Sequence, residues 1–179
     1  MRDYIKYAGI LFAITFVTAL LLGVVNNVTS PVISEYNIKK ETAAIEAVVD
    51  GKIDVSTLEV TKGDEKSCVV EIKAYTNDIG ETVYAVKSVP AGYAGDIEMM
   101  VGINSDLMVT GVEIVNMSET AGLGANAKGN VEWLSQFMGE GSEKLDALTG
   151  ATITSKAVEK GVREAREQVT KLLGGADFE

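Results

Sequence analysis

The pattern of hydrophobic positions begins with one long uninterrupted run near the N-terminus. The nineteen residues from Tyr7 to Val25 include no charged side chain, and as a helix they would be about 28 Å long. That length spans the hydrocarbon core of a bilayer. A secretory signal peptide and a buried core helix are the alternatives, but the run is longer than the hydrophobic region of a typical signal peptide and no small-residue cleavage site follows it. We therefore expect an uncleaved, single-pass transmembrane helix over residues 7–26.

Charges on either side of this run predict its orientation in the cell membrane. Arg2 and Lys6 precede it, whereas the next basic residue after it is Lys39. Basic residues near a membrane span are retained on the cytoplasmic side. Residues 1–6 are therefore expected to form a short cytoplasmic N-terminus, with the rest of the chain beyond the span on the extracytoplasmic side.

A linker is expected over residues 27–50, where polar residues return. Ser30 and Pro31 are expected to end the transmembrane helix, because proline lacks the N–H group that a helix interior needs. Ile38, Ile45 and Val48 then recur at helical spacing. This spacing predicts an amphipathic helix within the linker.

The remaining residues, 51–179, begin with short alternating or β-branched segments. Five such segments are separated by turn residues: TLEVTK, SCVVEIKAYT, TVYAVKSV, IEMMVGI and LMVTGVEIV. Alternation with short turns is typical of antiparallel strands. The clearest hairpin is Ile97–Val115, because the Asn-Ser-Asp sequence at 104–106 favours a turn between two hydrophobic runs.

Two helices are expected after the sheet. The segment VEWLSQFMG places Val131, Leu134 and Met138 on one side, which predicts a short helix. The last helix carries hydrophobic residues at spacings of four and three that form one stripe facing a sheet: Val158, Val162, Ala165, Val169 and Leu172. The expected fold class is therefore α+β, with a single N-terminal transmembrane helix followed by an antiparallel sheet packed with helices.

Composition removes several classes of function. The chain has 16 basic and 26 acidic residues and a net charge of -10, which repels a phosphate backbone, so no nucleic acid partner is expected. It has no histidine and one cysteine, Cys68. A histidine-based triad is therefore excluded, and no metal site is expected. Cys68 lies in an alternating segment and is expected to be a buried, inert thiol in a strand.

The strongest candidate for a site is the segment DALTGATITS, residues 146–155, which precedes the last helix. Unpaired N–H groups and the dipole at a helix N-terminus favour an anion, and Gly150 with Ala151 lets the backbone approach a ligand closely. Four hydroxyl side chains accompany them: Thr149, Thr152, Thr154 and Ser155. From these residues alone two interpretations stay open, a helix cap formed by Thr154 or Ser155 and a phosphate site.

A specific motif runs through this segment. Asp146, Thr149, Gly150, Ala151 and Thr152 form the pattern D-x-x-(S/T)-G-A-T. It resembles the flavinylation signature of the FMN-binding domains found in the Rnf and sodium-pumping NADH:quinone oxidoreductase complexes. In that family the last threonine carries FMN through a phosphoester that a dedicated flavin transferase installs. The resemblance implies covalent FMN on Thr152, with Asp146 positioning or activating the hydroxyl or serving the transferase.

Two further segments extend the resemblance. SETAGLGA, residues 118–125, resembles the family's flavin-side loop ETPGLG, with Ala121 in place of the usual proline. GYAGDIEMMVGI, residues 92–103, resembles the strand region before it. The resemblance implies that the residues bordering the flavin and its linker are Glu119, Thr120, Gly122, Leu123, Thr149, Gly150, Ala151 and Thr154. Trp133 and Tyr93 are expected to fill the core rather than to contact a flavin.

The function that the resemblance implies is electron transfer within a membrane complex. With its N-terminal anchor, the chain is most similar to the G subunit of the Rnf complex, which moves electrons between reduced ferredoxin and NAD while transporting sodium ions or protons. The implied partners are the other membrane subunits and a flavin transferase for maturation. The alternatives are the C subunit of a sodium-pumping NADH:quinone oxidoreductase, a free-standing extracytosolic flavoprotein, and a non-redox, membrane-anchored binding or scaffold module.

Overall fold

The computed structural model describes residues 2–49, 59–63, 66–76, 80–139 and 145–174. The chain divides into two compact units, residues 1–40 and residues 41–179. Its elements in chain order are α1 (Arg2–Val48), β1 (Glu59–Lys62), β2 (Val69–Thr76), β3 (Thr82–Ser88), β4 (Ile97–Asn104), β5 (Val109–Met117), a 3-10 turn (Gly124–Ala127), α2 (Val131–Ser135) and α3 (Thr152–Leu173).

The first unit is helical and exposes its hydrophobic side chains. Every large hydrophobic side chain described between Tyr4 and Ile38 is at least half exposed. Within α1 an 18-residue window has a mean hydropathy of 2.5, and the helix is long and apolar enough to cross a membrane. Exposed apolar area of this extent is stable only in contact with another apolar medium. The finding agrees with the expected N-terminal membrane span.

The expected end of this helix at Ser30 and Pro31 is wrong. Pro31 lies inside α1, which continues to Val48. A proline in a helix interior costs about 3 kcal/mol. The segment after it nevertheless stays helical because its last turns bury Ile45 and Val48, 7% and 1% exposed, against the sheet of the second unit. Burial at the far end thus outweighs the local preference of proline.

The second unit contains one antiparallel sheet of five strands in the order β1-β2-β3-β4-β5. Each strand pairs with the next one along the chain, so short connections suffice. This arrangement confirms the sheet predicted from the alternating segments. Thr57 and Leu58 of the first predicted strand, and residues 77–79 of a predicted turn, lie outside the described residues.

The predicted hairpin Ile97–Val115 is also confirmed. Asn104 closes the turn between β4 and β5, because its side-chain oxygen accepts hydrogen bonds from the N–H groups of Asp106 at 3.1 Å and Met108 at 2.9 Å. This is the local bonding that makes asparagine favourable in turns.

One face of the sheet packs against α3. The side chains of alternate β4 residues, none of them exposed, meet the stripe of α3 in one cluster; the β4 residues are Ile97, Met99, Val101 and Ile103. The stripe is the one predicted from helical spacing: Val158, Val162, Ala165 and Val169 are buried, and Leu172 packs on the cluster half-buried. The buried face of the strand repeats every two residues and that of the helix every 3.6 residues. The two faces therefore pack together in a single core.

The opposite face is covered by the last turns of α1. Two glycines that pair across β4 and β5, Gly102 and Gly111, let the helix end approach the sheet. A Cβ atom on Gly102 would clash with the carbonyl oxygen of Val48, and one on Gly111 would lie 3.0 Å from Val48 Cα. Thr110 Oγ1 donates a hydrogen bond to that same carbonyl at 2.5 Å. The end of α1 can therefore pack closely on the sheet at this point only because both positions are glycine.

An ion-pair network lies on this same face. Lys73 contacts Glu41 at 2.6 Å and Glu71 at 3.2 Å, while Lys87 contacts Glu98 at 2.8 Å and Glu41 at 3.5 Å. Burial alone would lower the pKa of each lysine, but the adjacent carboxylates outweigh it and raise the pKa of Lys73 and Lys87. Glu41 thus ties the last turns of α1 to β2 and β3.

Of the three residues expected on one side of the short helix α2, Leu134 is buried, whereas Val131 and Met138 are not. Val131 and Met138 are 76% and 48% exposed, whereas Trp133 and Leu134 are buried. Because α2 ends at Ser135, the helical spacing does not extend as far as Met138. Trp133 instead packs edge-on against Phe137, with ring centroids 5.1 Å apart, which confirms that the tryptophan fills the core.

Candidate functional site

Three segments of the second unit enclose an open cavity of about 400 Å³. They are the turn before β4, the loop after β5, and the first turn of α3 with the residues just before it. Sites for small molecules commonly have volumes of about 300–1,000 Å³. The lining residues are Tyr93, Glu119, Thr120, Leu123, Gly124, Gly150, Ala151, Thr152, Ile153 and Thr154.

The start of α3 presents backbone donors to this cavity. Thr152 is the first helical residue and Ala151 the N-cap, and no side chain caps the helix. The N–H groups of the first turn have no carbonyl partner within the helix. Gly150 enters the turn with φ of +74°, and a Cβ atom there would lie 2.8 Å from Leu123 Cδ2. This end of the cavity is therefore suited to an anion.

The expectation that Thr154 or Ser155 caps α3 is wrong. The helix begins earlier, at Thr152, so both hydroxyls lie inside its first turns. Thr154 is 2% and Ser155 6% exposed. Ser155 Oγ donates to the carbonyl of Ala151 and accepts from the N–H of Leu148, each at 3.0 Å. These buried hydroxyls hold the turn together instead of satisfying the free N–H groups.

Thr152 differs from its neighbours because its side chain is exposed and lines the cavity. No hydrogen bond to its hydroxyl occurs within the part of the chain that the structure describes. Thr149 is exposed as well but does not line the cavity. Of the four hydroxyls in the segment, Thr152 alone combines exposure with a place in the cavity wall.

Glu119 joins all three segments of the cavity. Its Oε1 accepts hydrogen bonds from the backbone N–H of Tyr93 at 2.7 Å and of Ala94 at 3.3 Å. Its Oε2 accepts from the hydroxyl of Thr154 at 3.1 Å. A single carboxylate thereby connects the turn before β4 to the first turn of α3.

Two glycines make room for this carboxylate. A Cβ atom on Gly92 would clash with Glu119 Oε1. A Cβ atom on Gly124 would lie 2.8 Å from Glu119 Oε2 and 2.6 Å from Thr154 Oγ1. The glutamate can therefore reach its partners only because both positions lack side chains.

The loop after β5 is ordered by its own hydrogen bonds, although Ala121 replaces the proline of the family motif. The carbonyl of Thr120 accepts from the N–H of Leu123 at 3.2 Å. Gly122 has φ of +79°, and Asn126 Nδ2 donates to its carbonyl at 3.1 Å. The loop leaves the Leu123 side chain 44% exposed in the cavity wall, where the sequence motif predicts a flavin contact.

The expectation that Tyr93 fills the core is wrong. Its side chain is 70% exposed, because it lies in a turn closed by the hydrogen bond from Gly92 N–H to Gly95 O at 2.8 Å, before β4 begins. Sequence analysis also missed Gly124 and Ile153 as lining residues. Gly124 is part of the quoted loop motif and Ile153 directly follows Thr152, so proximity in sequence was the available signal.

Asp146, Thr149 and Gly122 were predicted at the site but do not line the cavity. The Asp146 backbone is held in place: its N–H donates to Gln136 Oε1 at 2.8 Å, and its carbonyl accepts from Trp133 Nε1 at 2.7 Å. Its side chain is left exposed. Hydrogen bonds therefore fix the backbone of Asp146 at the start of the motif, but Asp146 does not line the cavity.

Cys68 belongs to a different polar cluster. It is half-buried just before β2, not fully buried within the strand as expected. Burial raises the pKa of its thiol, and the nearby carboxylate of Glu164 adds to this effect. Glu164 accepts hydrogen bonds from Cys68 N–H at 2.8 Å and from the Ser67 hydroxyl at 2.9 Å. A raised pKa makes the thiol a poor nucleophile at neutral pH, which agrees with an inert cysteine.

Comparison with known proteins places the cavity in a family. Residues 92–167 match the family model described as FMN-binding domain, and this range includes every residue that lines the cavity. The G subunit of the Na(+)-translocating ferredoxin:NAD(+) oxidoreductase complex of Acetobacterium woodii is 38% identical to this chain, over 88% of this chain and 87% of that protein. This chain belongs to the family of these G subunits.

A second member of the family has similar coverage. The G subunit of the proton-translocating ferredoxin:NAD(+) oxidoreductase complex of Clostridium ljungdahlii is 32% identical, over 92% of this chain and 95% of that protein. Among solved structures, the C subunit of the Na(+)-translocating NADH-quinone reductase of Parabacteroides distasonis superposes with a TM-score of 0.58, covering 80% of this chain and 94% of that one. At 18% identity that likeness establishes the fold alone, whereas the G subunits establish the family.

Proposed function

We propose that this chain is the membrane-anchored flavoprotein subunit of an ion-translocating ferredoxin:NAD oxidoreductase complex and that FMN, bound covalently to Thr152, carries its electrons. Membership of the G-subunit family and the FMN-binding domain over residues 92–167 support the complex and the cofactor. The observation that carries the attachment site is the exposed Thr152 hydroxyl at the start of α3, inside the cavity.

The residues of the cavity fit the two parts of FMN. The free N–H groups in the first turn of α3 suit the phosphate, since the helix N-terminus favours an anion. Leu123, Ile153 and Tyr93 are exposed apolar or aromatic side chains in the walls and suit a planar ring system. The one acidic side chain in the lining, Glu119, already accepts three hydrogen bonds from the protein.

Among the hydroxyls of the segment, the geometry favours Thr152 as the acceptor. A transferase must reach the oxygen and replace its proton with phosphorus. Thr154 and Ser155 are buried, and their hydroxyls are engaged with Glu119 and with the α3 backbone. Modifying either would bury an unpaired acceptor or donor, which costs about 1–3 kcal/mol. Thr152 carries no such penalty.

The attachment reaction forms one bond and breaks one bond. The Thr152 oxygen bonds to the phosphorus of the flavin phosphate and loses its proton to a base of the flavin transferase. The bond that breaks is the phosphorus–oxygen bond to the leaving group of an activated flavin nucleotide. The chain therefore gains the mass of FMN less one water. We assign Asp146, exposed at the start of the motif, to positioning or activating the hydroxyl or to binding the transferase.

Once attached, the flavin supplies reversible electron transfer, and the protein supplies its environment. Gly150 and Ala151 form the backbone beside the linker, with Thr149 just before them. Glu119 and Thr120 shape the rim of the loop, and Gly122 lets the loop present Leu123. A tether also prevents loss of the cofactor outside the cytoplasm, because rebinding becomes intramolecular.

We further propose the topology and domain limits that follow from the sequence. Residues 1–6 are cytoplasmic, residues 7–26 span the membrane, residues 27–50 are a linker with an amphipathic helix, and residues 51–179 form the extracytoplasmic FMN-binding domain. Fusing a fluorescent protein that folds only in the cytoplasm to each terminus tests the orientation. Fluorescence from the N-terminal but not the C-terminal fusion is expected, and the reverse pattern would refute it.

The cofactor is tested by producing the full chain with and without a flavin transferase. With the transferase, the denatured band should fluoresce as a flavin on a gel, and the peptide containing Thr152 should gain the mass of FMN less water. Without it, both signals should be absent. A peptide of unmodified mass and no fluorescent band in the presence of an active transferase would refute the covalent flavoprotein and favour the non-redox scaffold.

Membership in a complex is tested by purification under mild detergent. The chain should be recovered with other membrane subunits that together transfer electrons from reduced ferredoxin to NAD. Recovery of the flavinylated chain as a lone monomer from its native membrane would favour the free-standing flavoprotein.

A further inference from the structure

The turn that carries Tyr93 is hydrogen-bonded through its backbone to Glu119, a residue of the loop after β5. Within the turn itself, Gly92 N–H donates to Gly95 O at 2.8 Å. The N–H groups of Tyr93 and Ala94 point outward from the turn to Glu119 Oε1, at 2.7 and 3.3 Å. These bonds hold the backbone at Tyr93, while its side chain remains 70% exposed.

The other end of this connection is the helix that carries the attachment residue. Glu119 Oε2 accepts from Thr154 Oγ1 at 3.1 Å, two residues after Thr152. A carboxylate has two acceptor oxygens, and here one serves the turn and the other serves α3. One side chain thus bridges the backbone of the turn that carries Tyr93 and the first turn of α3.

An exposed tyrosine keeps a defined place in the wall of a cavity only if contacts outside the core hold it there. Tyr93 is not held by core packing. Because small residues flank it on both sides, a turn without further contacts would sample many conformations, and the ring would have no defined position. Charge-assisted hydrogen bonds to a carboxylate are stronger than those between neutral groups. The close approach of Gly92 and Gly124 to Glu119 leaves this side chain little freedom.

We propose that Glu119 is a positioning residue that holds the Tyr93 ring against the isoalloxazine ring, so that Tyr93 forms one wall of the flavin site. The inference rests on the proposed function and adds to it the residue that stacks on the flavin and the residue that places it. Offset stacking of aromatic systems is favourable beyond the area it buries. A tyrosine in contact with an excited flavin also quenches its fluorescence by donating an electron.

The positioning step is tested first in the full chain made without flavin transferase, in detergent, by hydrogen exchange. Glu119→Ala should speed exchange of the Tyr93 and Ala94 amides by about tenfold or more, the factor expected for losing a hydrogen bond to a charged group. Glu119→Gln keeps an acceptor oxygen and should have a smaller effect. Glu159→Ala, an exposed residue of α3, is the matched control and should change neither amide. Unchanged exchange in Glu119→Ala would overturn the positioning role.

The stacking step is tested in the flavinylated full chain by fluorescence per attached FMN, with attachment measured by mass. Tyr93→Leu and Glu119→Ala should both increase the emission, Tyr93→Trp should keep it low, and Glu119→Gln should lie between. Equal emission per attached FMN from Tyr93→Leu and from the flavinylated chain without substitutions would overturn the stacking. If the chain without substitutions acquires no FMN at all, the proposed function fails, while the exchange experiment still decides whether Glu119 holds the turn.

Discussion

Thr152 and Thr154 are two residues apart in the first turn of α3, yet Thr152 is exposed to the cavity while Thr154 is 2% exposed and donates to Glu119 at 3.1 Å. Residues at this spacing do not face the same side of a helix. The structure therefore separates two chemically equivalent hydroxyls into one that a modifying enzyme can reach and one that stabilises the site.

Replacing Thr152 tests this separation directly. Thr152→Ala should abolish the flavin adduct, because it removes the one hydroxyl of residues 146–155 that is both exposed and part of the cavity wall. Thr152→Ser keeps the hydroxyl and should retain a measurable fraction. Intact mass and in-gel fluorescence after production with the transferase are the measurements.

Thr154→Ala is the matched control for that experiment. It should keep the adduct while lowering the thermal stability by about 1 kcal/mol, the net value of an ordinary hydrogen bond. Loss of the adduct in Thr154→Ala with retention in Thr152→Ala would show that Thr154 is the acceptor.

Gly150 and Gly129 allow backbone strain to be distinguished from contact with the cavity. Their φ angles are +74° and +75°, so alanine at either position should cost about 1–2 kcal/mol of stability. A Cβ atom on Gly150 would also lie 2.8 Å from Leu123 Cδ2, whereas nothing lies within 4 Å of one on Gly129. Gly150→Ala should therefore reduce flavinylation, and Gly129→Ala should not. Equal flavinylation of both variants, measured by mass, would argue against a close backbone approach at Gly150.

Glu164 should make stability depend on pH. Burial alone would raise the pKa of its carboxyl, but hydrogen bonds from Cys68 N–H and the Ser67 hydroxyl outweigh burial and lower it. A group with a lower pKa in the folded chain stabilises that chain above its unfolded pKa, about 4.3. This contribution is lost as the pH falls through the folded pKa. Glu164→Gln should thus lower the melting temperature at pH 7, and the difference from the unmodified chain should shrink below about pH 4.3.

Glu167→Gln is the control for the pH experiment. Glu167 is 59% exposed and pairs with Arg163 at 3.7 Å, a surface contact worth about 0–1 kcal/mol. Its replacement should leave the melting temperature nearly unchanged at both pH values. A pH-independent effect of Glu164→Gln would show that its hydrogen bonds do not require the charged form.

Gly102 and Gly161 test how closely helices approach the two faces of the sheet. A Cβ atom on Gly102 would clash with the Val48 carbonyl, which is backbone, whereas one on Gly161 would lie 2.8 Å from Met99 Sδ, which can move. Gly102→Ala should destabilise the chain by about 1–3 kcal/mol. Gly161→Ala should cost less, since alanine gains about 1 kcal/mol of helix propensity. Thermal unfolding measures both, and faster hydrogen exchange over residues 44–49 should accompany only Gly102→Ala.

The features that the sequence predicted correctly have short-range patterns. The alternating segments predicted the five-stranded sheet, and the spacing from Val158 to Val169 predicted the buried stripe of α3. These predictions succeeded because periodicity reports burial wherever a regular element continues for several turns or residues. Nine of the ten residues that line the cavity lie in the two segments 118–125 and 146–155 that the motifs single out.

The failures occur where distant residues decide the outcome. Pro31 did not end α1, because burial of Ile45 and Val48 on the sheet holds the later turns. Met138 is exposed because α2 ends before the helical spacing reaches it. Thr154 is not a cap, because the helix begins at Thr152 and its hydroxyl finds Glu119, which is 35 positions earlier in the chain.

By itself, the sequence determined the apolar anchor, the order of strands and helices, and the identity of the segment that offers a hydroxyl near a helix N-terminus, since each depends on residues close together in the chain. Only the tertiary structure decided which hydroxyl is exposed, whether the Tyr93 side chain is buried or exposed, and which groups Glu119 binds. Those outcomes depend on three segments brought together by the sheet, and no local pattern encodes the contacts between them.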